Sequence, residues 1–246
     1  MDKINFFENI ELRQLSNIFE KNGKQLFVVG GAVRDFLLGL EPKNVDIDLC
    51  SSASIQEVVE MLDGTEFSVA PKNLMLGVVS IVCGEEHFEY AQFRKEEYAK
   101  QFSHNPARIE FVDSIEVDSS RRDFTINAIY FDLVKGEFVD FCGGIEDLQN
   151  RVIKTVRQPK ETLAVDPARI FRMIQFSLRL NFDIDPEVKE VAKVFAKNCR
   201  SMSPNRQLVE LQKIDNAKDC YHNFTPKNFE QKKTELFSEF GIVVNN

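Results

Sequence analysis

The segment LFVVGG at residues 26–31 constrains this chain more than any other. A short buried run enters a double-glycine turn, and an amphipathic stretch from Ala32 to Leu38 follows, closed by Gly39 and Pro42. That order predicts a strand, a tight turn and a short helix, because glycine supplies the backbone freedom such a turn needs. The next apolar segment is VDIDL at 45–49, which alternates as a strand does. Side chains on a strand alternate between faces, so Asp46 and Asp48 share one face. Two carboxylates side by side repel unless a cation lies between them, and paired divalent ions meet that need. Taken alone, D-x-D more often decorates a solvated strand end, since acidic side chains are mostly exposed. The turn before it raises the reading, because backbone N–H groups at Gly30-Gly31 and a helix start can hold phosphates. Neither G-x-G-x-x-G nor G-x-x-x-x-G-K occurs, so neither a dinucleotide fold nor a P-loop is supported.

The rest of the chain divides by pattern. Residues 6–22 carry spaced apolar positions and end at Asn22-Gly23, which predicts a helix with a glycine stop. A second helix is expected over Ile55 to Leu62, and strands over Thr65–Val69, Leu76–Cys83 and His87–Arg94. Lys95 to Asn105 is polar and aperiodic and reads as a mobile loop. An amphipathic stretch begins at Arg122, a strand falls near Phe138–Phe141, and strand signals stop at Gly143-Gly144. Residues 161–213 are helical in pattern. The expected class is α+β: a mixed-sheet head over 1–145, a helical segment over 146–213, and an ill-defined appendage over 214–246.

Charge sorts the same way. The formal net charge of −8 looks unsuited to a polyanion partner, but it is unevenly spread. Residues 1–150 carry net −13, residues 151–213 net +6 and residues 214–246 net −1, so the middle segment is where a polyanion would be held. The five cysteines, Cys50, Cys83, Cys142, Cys199 and Cys220, form no C-x-x-C pair, which argues against a zinc site and a disulfide framework. Apolar runs are too short to span a membrane, and the first residues lack a signal-peptide layout, so a cytoplasmic location without membrane contact is expected.

Three motifs occur in order: GGAVRD with VDIDL at 30–49, RRDFTINA at 121–128, and DPARIFR at 166–172. Together they resemble the signatures of class II tRNA nucleotidyltransferases (CCA-adding enzymes) and bacterial poly(A) polymerases, within the DNA polymerase β superfamily. The resemblance covers about residues 26 to 213. It implies a nucleotidyltransferase head followed by a helical neck, with Asp46 and Asp48 as Mg2+ ligands and Gly30, Gly31 and Arg34 on the triphosphate side. It implies that Arg122, Asp123 and Asn127 recognise the ribose and phosphates of the incoming nucleotide. Asp166 and Arg169 match the pair that hydrogen-bonds the base, and Arg172 would reach the phosphates. FCGGIEDL resembles the hinge between head and neck, with Asp140 and Gly143 at its characteristic positions. Glu89 stands where the family has a third carboxylate, before Arg94.

Residue geometry agrees with part of this, since Asp166, Arg169, Arg172 and Arg179 fall on one face of a helix while Ile170 and Ile174 fall elsewhere. Asp166 before Pro167 is equally well placed to cap that helix. An arginine fork and a carboxylate match acceptors and an exocyclic amine on a base edge, which C and A both offer. The implied activity is template-independent addition of C or A from CTP or ATP to an RNA 3′ end, most simply that of tRNA. Poly(A) addition to general RNA, and a catalytically idle binding module, are the alternatives. The pattern departs at Val165, where the family has Glu, and at Asn205 in NRQLVEL, where Arg206 and Glu210 are kept. Family members commonly continue through body and tail domains. Those domains are expected to be largely absent here, so either the RNA grip comes from a partner or a second copy, or the chain is a fragment, or the RNA is not a whole tRNA.

Overall fold

The computed structural model describes residues 9–40, 47–103, 105–217 and 226–242. The chain forms two compact units. One takes Met1–Glu96, Arg108–Arg122 and Ile126–Ile145; the other takes Glu97–Ala107, Asp123–Thr125 and Glu146–Asn246. Among the described residues, no helix is long and apolar enough to cross a membrane.

The first unit is built on a mixed seven-stranded sheet in the order β3-β4-β5-β2-β1-β8-β9. β1 (Phe27–Val29) is an interior strand, antiparallel to β2 (Ile47–Ser51) on one side and to β8 (Ile129–Asp132) on the other. The sequence suits this interior place: FVV is buried along its whole length, as a strand covered on both faces must be. Helix α1 (Ile10–Lys21) starts at Asn9, whose side chain accepts from Leu12 N, and buries Leu12, Leu15 and Phe19. After β1, the seven-residue α2 (Gly31–Leu37) leads back toward β2. Helix α3 (Ile55–Leu62) opens on a reciprocal capping box between Ser54 and Glu57. β3 (Ser68–Asn73), β4 (Val78–Cys83) and β5 (Glu86–Gln92) complete one wing, with β3 exposed at the edge, and β9 (Glu137–Asp140) ends the other. On one face of β1, Phe27 and Val29 pack with Cys50, Phe93 and Tyr130 into a buried cluster.

Several expectations needed correction. The loop read from Lys95 begins as strand β6 (Arg94–Glu97), which pairs with β7 (Arg108–Phe111) as a two-stranded ribbon. Ion pairs tie Glu96 to Arg94 and Arg121, so charged residues here are held in place. The stretch after Arg122 contains β8, whose IYFD is buried at every position. A run buried on both faces shows no alternation to detect.

The second unit is helical. α6 (Pro159–Val165), α7 (Ala168–Leu180), α8 (Pro186–Phe195) and α9 (Pro204–Asn216) follow one another, and β10 (Val152–Ile153), before α6, pairs in parallel with β11 (Asp183–Ile184), between α7 and α8. α7 buries Ile170, Phe171, Met173, Ile174, Phe176 and Leu178. Its end is fixed by Asn181 in the left-handed conformation. The stretch read as an appendage contains α10 (Pro226–Glu239), which buries Phe229, Leu236 and Phe237, with Phe240 just beyond. Lys232 on α10 donates to the Ser177 and Phe182 carbonyls and to Asn181 Oδ1, placing a cation on the negative end of α7. Phe229→Ala removes a ring that is 2% exposed and should cost about 3–5 kcal/mol in a denaturant titration. An unchanged midpoint would mean that α10 is not part of this core.

Candidate active site

The double-glycine turn is set against β2. Gly30 has φ 83° and ψ −135°, a conformation open essentially to glycine alone. A Cβ built at Gly30 would stand 3.3 Å from Asp48 Oδ2, so a side chain there would fill the space beside the carboxylate. The β1–β2 register places Val29 opposite Asp48. The parallel β2–β5 register places Asp48 opposite Glu89, and the antiparallel β5–β4 register continues the row to Ser80. Residues paired across strands project to the same face, so the carboxylates of Asp48 and Glu89 are neighbours. Both are half-buried, and Lys72 forms an ion pair with Glu89. Asp46 lies outside the described residues. Among the described residues, no group of three or more His, Cys, Asp or Glu is arranged to hold a metal. The Asp48 and Glu89 oxygens are nevertheless hard donors beside an open glycine cradle, which suits a Mg2+-like ion.

Behind the turn, Arg34 is only 2% exposed. Its Nε donates to Asp35 Oδ1 at 2.8 Å and its Nη1 to Asn127 Oδ1 at 2.7 Å. The guanidinium is thus turned into the protein, although the resemblance implied a triphosphate-side role. Gly31 has its own constraint, since a Cβ there would meet Arg34 Nη2 at 3.5 Å. With its oxygen held by Arg34, Asn127 leaves its amide Nδ2 buried and without a hydrogen-bond partner. Buried donors are rarely orphaned, so this one is a group kept ready for an acceptor.

Arg122 belongs to a buried charge network that was not anticipated from the sequence. Asp118, fully buried on α4 (Ile115–Ser120), accepts from Arg121 Nε at 2.8 Å, Arg122 Nη2 at 3.3 Å, Tyr130 Oη at 2.8 Å and the Arg94 amide at 3.2 Å. Arg122 Nε donates in turn to Tyr130 Oη at 2.8 Å, and its guanidinium lies 5.0 Å from the Tyr130 ring centre. Burial by itself would raise the Asp118 pKa, but Arg121, Arg122, the Tyr130 hydroxyl and the Arg94 amide outweigh it and hold the carboxyl below its usual range. The available signal was spacing: Asp118 precedes Arg121 and Arg122 by three and four residues at the end of a helical turn. At the other end of this unit, Asp140 accepts from the backbone amides of Cys142, Gly144 and Ile145, and Gly143 takes φ 75°.

In the second unit, Asp123 and Arg172 meet at 2.6 Å. Asp123 also accepts from the Phe124 amide at 2.8 Å, and Arg172 lies 5.2 Å from the Phe176 ring centre. Burial would raise the Asp123 pKa, yet Arg172 and Arg169 hold it below its usual range. Asp166 precedes α7, and its Oδ1 accepts from the Ala168 amide at 2.9 Å while its Oδ2 pairs with Arg206. The capping contact weighed from sequence is therefore present, and a cation from the neck pattern shares the same carboxylate. Arg169 Nη1 donates to the Thr162 carbonyl at 3.1 Å. Val165, the departure from the family pattern, is 8% exposed at the end of α6.

These contacts set the pH behaviour of the Asp118 network. A carboxyl whose pKa is depressed on folding stabilises the fold above its unfolded value and loses that effect as pH falls through the folded one. Asp118→Asn removes the counter-charge that Arg122 pairs with and leaves Arg121 only Glu96, and should cost about 3–5 kcal/mol at neutral pH. The gap to wild type should narrow below about pH 4 in urea titrations, and a pH-independent gap would rule out the charge as the cause.

Comparison with known proteins gives a consistent result. Residues 26–154 match the model of the Poly A polymerase head domain. The chain is 32% identical over 216 residues to a CCA-adding enzyme of Staphylococcus aureus, covering 87% of this chain and 51% of that protein. It superposes on the crystal structure of the Bacillus stearothermophilus CCA-adding enzyme in complex with CTP with a TM-score of 0.80 at 27% identity, covering 98% of this chain and 53% of that one. A tRNA nucleotidyltransferase complexed with a primer tRNA and an incoming ATP analog gives a TM-score of 0.69 at 25% identity, covering 94% of this chain and 60% of that one. The chain spans about half the length of the curated relatives it matches. With glycine turn, sheet order and head-domain match in agreement, the chain belongs to the Poly A polymerase head-domain family, that of the class II tRNA nucleotidyltransferases and bacterial poly(A) polymerases.

Proposed function

We propose that this chain carries out template-independent nucleotidyl transfer, adding C and A from CTP and ATP to the 3′ end of an RNA, with a tRNA lacking all or part of its CCA end as substrate. The observation that carries the reading is the register that sets Asp48 beside Glu89 on one sheet face, against the Gly30 turn. Relatives solved with CTP and with a primer tRNA and an ATP analog supply the substrate class. The head is proposed over 1–145 and the neck over 146–213.

Asp48, with Asp46 and Glu89, would hold Mg2+. A divalent ion held by these carboxylates would supply Lewis-acid stabilisation of the charge that develops on the transferred phosphoryl group. The chain's own residues do the rest. The turn at Gly30-Gly31 lets backbone approach the triphosphate closely because no side chain intervenes. Arg34 orients Asn127, whose free Nδ2 is the donor offered to ribose or phosphate. Arg122 is held ready by Asp118 and Tyr130. Asp123 keeps Arg172 in place by a short ion pair, so Asp123 acts on the nucleotide directly or through that arginine. Asp166, steadied by Arg206, and Arg169, steadied on the Thr162 carbonyl, would present an acceptor and a donor fork to the base edge.

The test is incubation with tRNAs ending before, within and after CCA, each nucleoside triphosphate supplied singly, with products sized on a gel. Addition stopping at CCA supports the reading, whereas unlimited A addition to any RNA assigns poly(A) synthesis. Asp48→Ala should cut incorporation by about a thousandfold without lowering the melting temperature, because a cation loses its anchor. Activity within tenfold of wild type would refute the metal assignment. Asp166→Ala and Arg169→Ala should shrink discrimination between C or A and U or G by about tenfold or more. If Asp166→Ala lowers only the melting temperature, the capping contact is its whole role.

A further inference from the structure

Lys72 stands apart from the residues that the motifs identify. It lies on the edge strand β3, where the β3–β4 register slips: Ala70 pairs with Ser80 and Pro71 with Val79, but Asn73 pairs with Val78, so Lys72 is the extra residue of a β-bulge. Bulges turn a side chain away from regular alternation and aim it elsewhere. Ala70, Ser80, Glu89 and Asp48 form one continuous row across β3, β4, β5 and β2. From the bulge at the end of that row, the Lys72 ammonium reaches across to the Glu89 carboxylate and donates to it. The Lys72 side chain is 57% exposed and that of Glu89 39%, so the contact is not a device for holding the core. Exposed ion pairs add little to stability, which leaves its placement beside the carboxylate row to be explained.

Two carboxylates held in register repel each other, and the sheet fixes their spacing. An ammonium on a long, flexible stem offsets that repulsion and can leave, whereas a fixed arginine fork cannot leave so readily. We propose that Lys72 is a tethered counter-cation of the carboxylate row: it occupies Glu89 while no divalent ion is bound and competes with that ion for the carboxylate. Divalent binding displaces the ammonium toward the face where a triphosphate would sit. Lys72 thereby lowers the affinity of the site for a divalent ion in the absence of nucleotide. This rests on the metal reading given under Proposed function. Lys72 is a positioning residue in this scheme, since it acts through Glu89.

Mn2+ serves as the probe, its free concentration followed by electron paramagnetic resonance during titration of the full chain. Four proteins are compared: wild type, Lys72→Met, Glu89→Gln and the double variant, with Asp48→Ala as a reference for loss of the site. Lys72→Met should bind Mn2+ about 2- to 5-fold more tightly than wild type, the range expected of an exposed pair. Glu89→Gln should bind more weakly, and adding Lys72→Met to it should tighten binding less than it does in the wild-type background, because the carboxylate that the ammonium contacts is gone. The same Lys72→Met tightening in the Glu89→Gln background would overturn the proposal by showing a general field effect. Equal affinity of wild type and Lys72→Met would overturn it while leaving the metal site standing. Identical binding curves for wild type and Asp48→Ala would remove the metal reading, and this proposal with it.

Discussion

The parallel pairing of β2 with β5 is the contact on which the site depends. Among the described residues it is the one parallel ladder in a sheet otherwise joined antiparallel, and its register sets Asp48 beside Glu89. A slip of one residue would send one carboxylate to the opposite face, because strand side chains alternate. The pairing survives the repulsion it creates because the strands are fixed by their other faces. Ile47, Leu49, Phe88 and Tyr90 are all buried, and burial of such side chains is worth roughly 1.5–3 kcal/mol each. Hydrophobic register thus imposes an arrangement that the charges alone would reject.

Within each unit the protein holds arginines tightly. Arg34 is enclosed by Asp35 and Asn127, Arg122 by Asp118 and Tyr130, and Arg172 by Asp123. Buried ion pairs often contribute little net stability, because desolvation offsets much of their attraction. Their effect here is geometric: each guanidinium is held in one orientation by its partners. The charge split along the chain has the same logic. Acidic residues gather in the segment with the carboxylate row, and the excess of basic residues falls over 151–213.

Much of this was legible in the sequence, for identifiable reasons. The Gly30-Gly31 turn was readable because Gly30 takes a φ that favours glycine, and α3 was expected over Ile55 to Leu62, the bounds it has in the structure. The side of α7 that faces the core followed from the spacing of Ile170 and Ile174. What escaped lacked a periodic signal. β8 is buried at every position, β7 is short and largely exposed, and α10 has only a weak apolar stripe. At the site, motif residues were found, but their partners were not. The spacing of Asp118 three and four residues before Arg121 and Arg122 is a local signal for that pairing, whereas nothing local marks Lys72 as the partner of Glu89, since that contact depends on a strand register and a bulge.

The central claim is that the Asp48–Glu89 row is a divalent-cation site. A crystal of the chain grown with CTP and Mn2+, measured at a wavelength where manganese scatters anomalously, locates the ion directly. The account predicts an anomalous peak at bonding distance, about 2.1 Å, from an Asp48 carboxylate oxygen, on the face shared with Glu89. A map with CTP bound and no peak there, or with manganese held only by other residues, would contradict it.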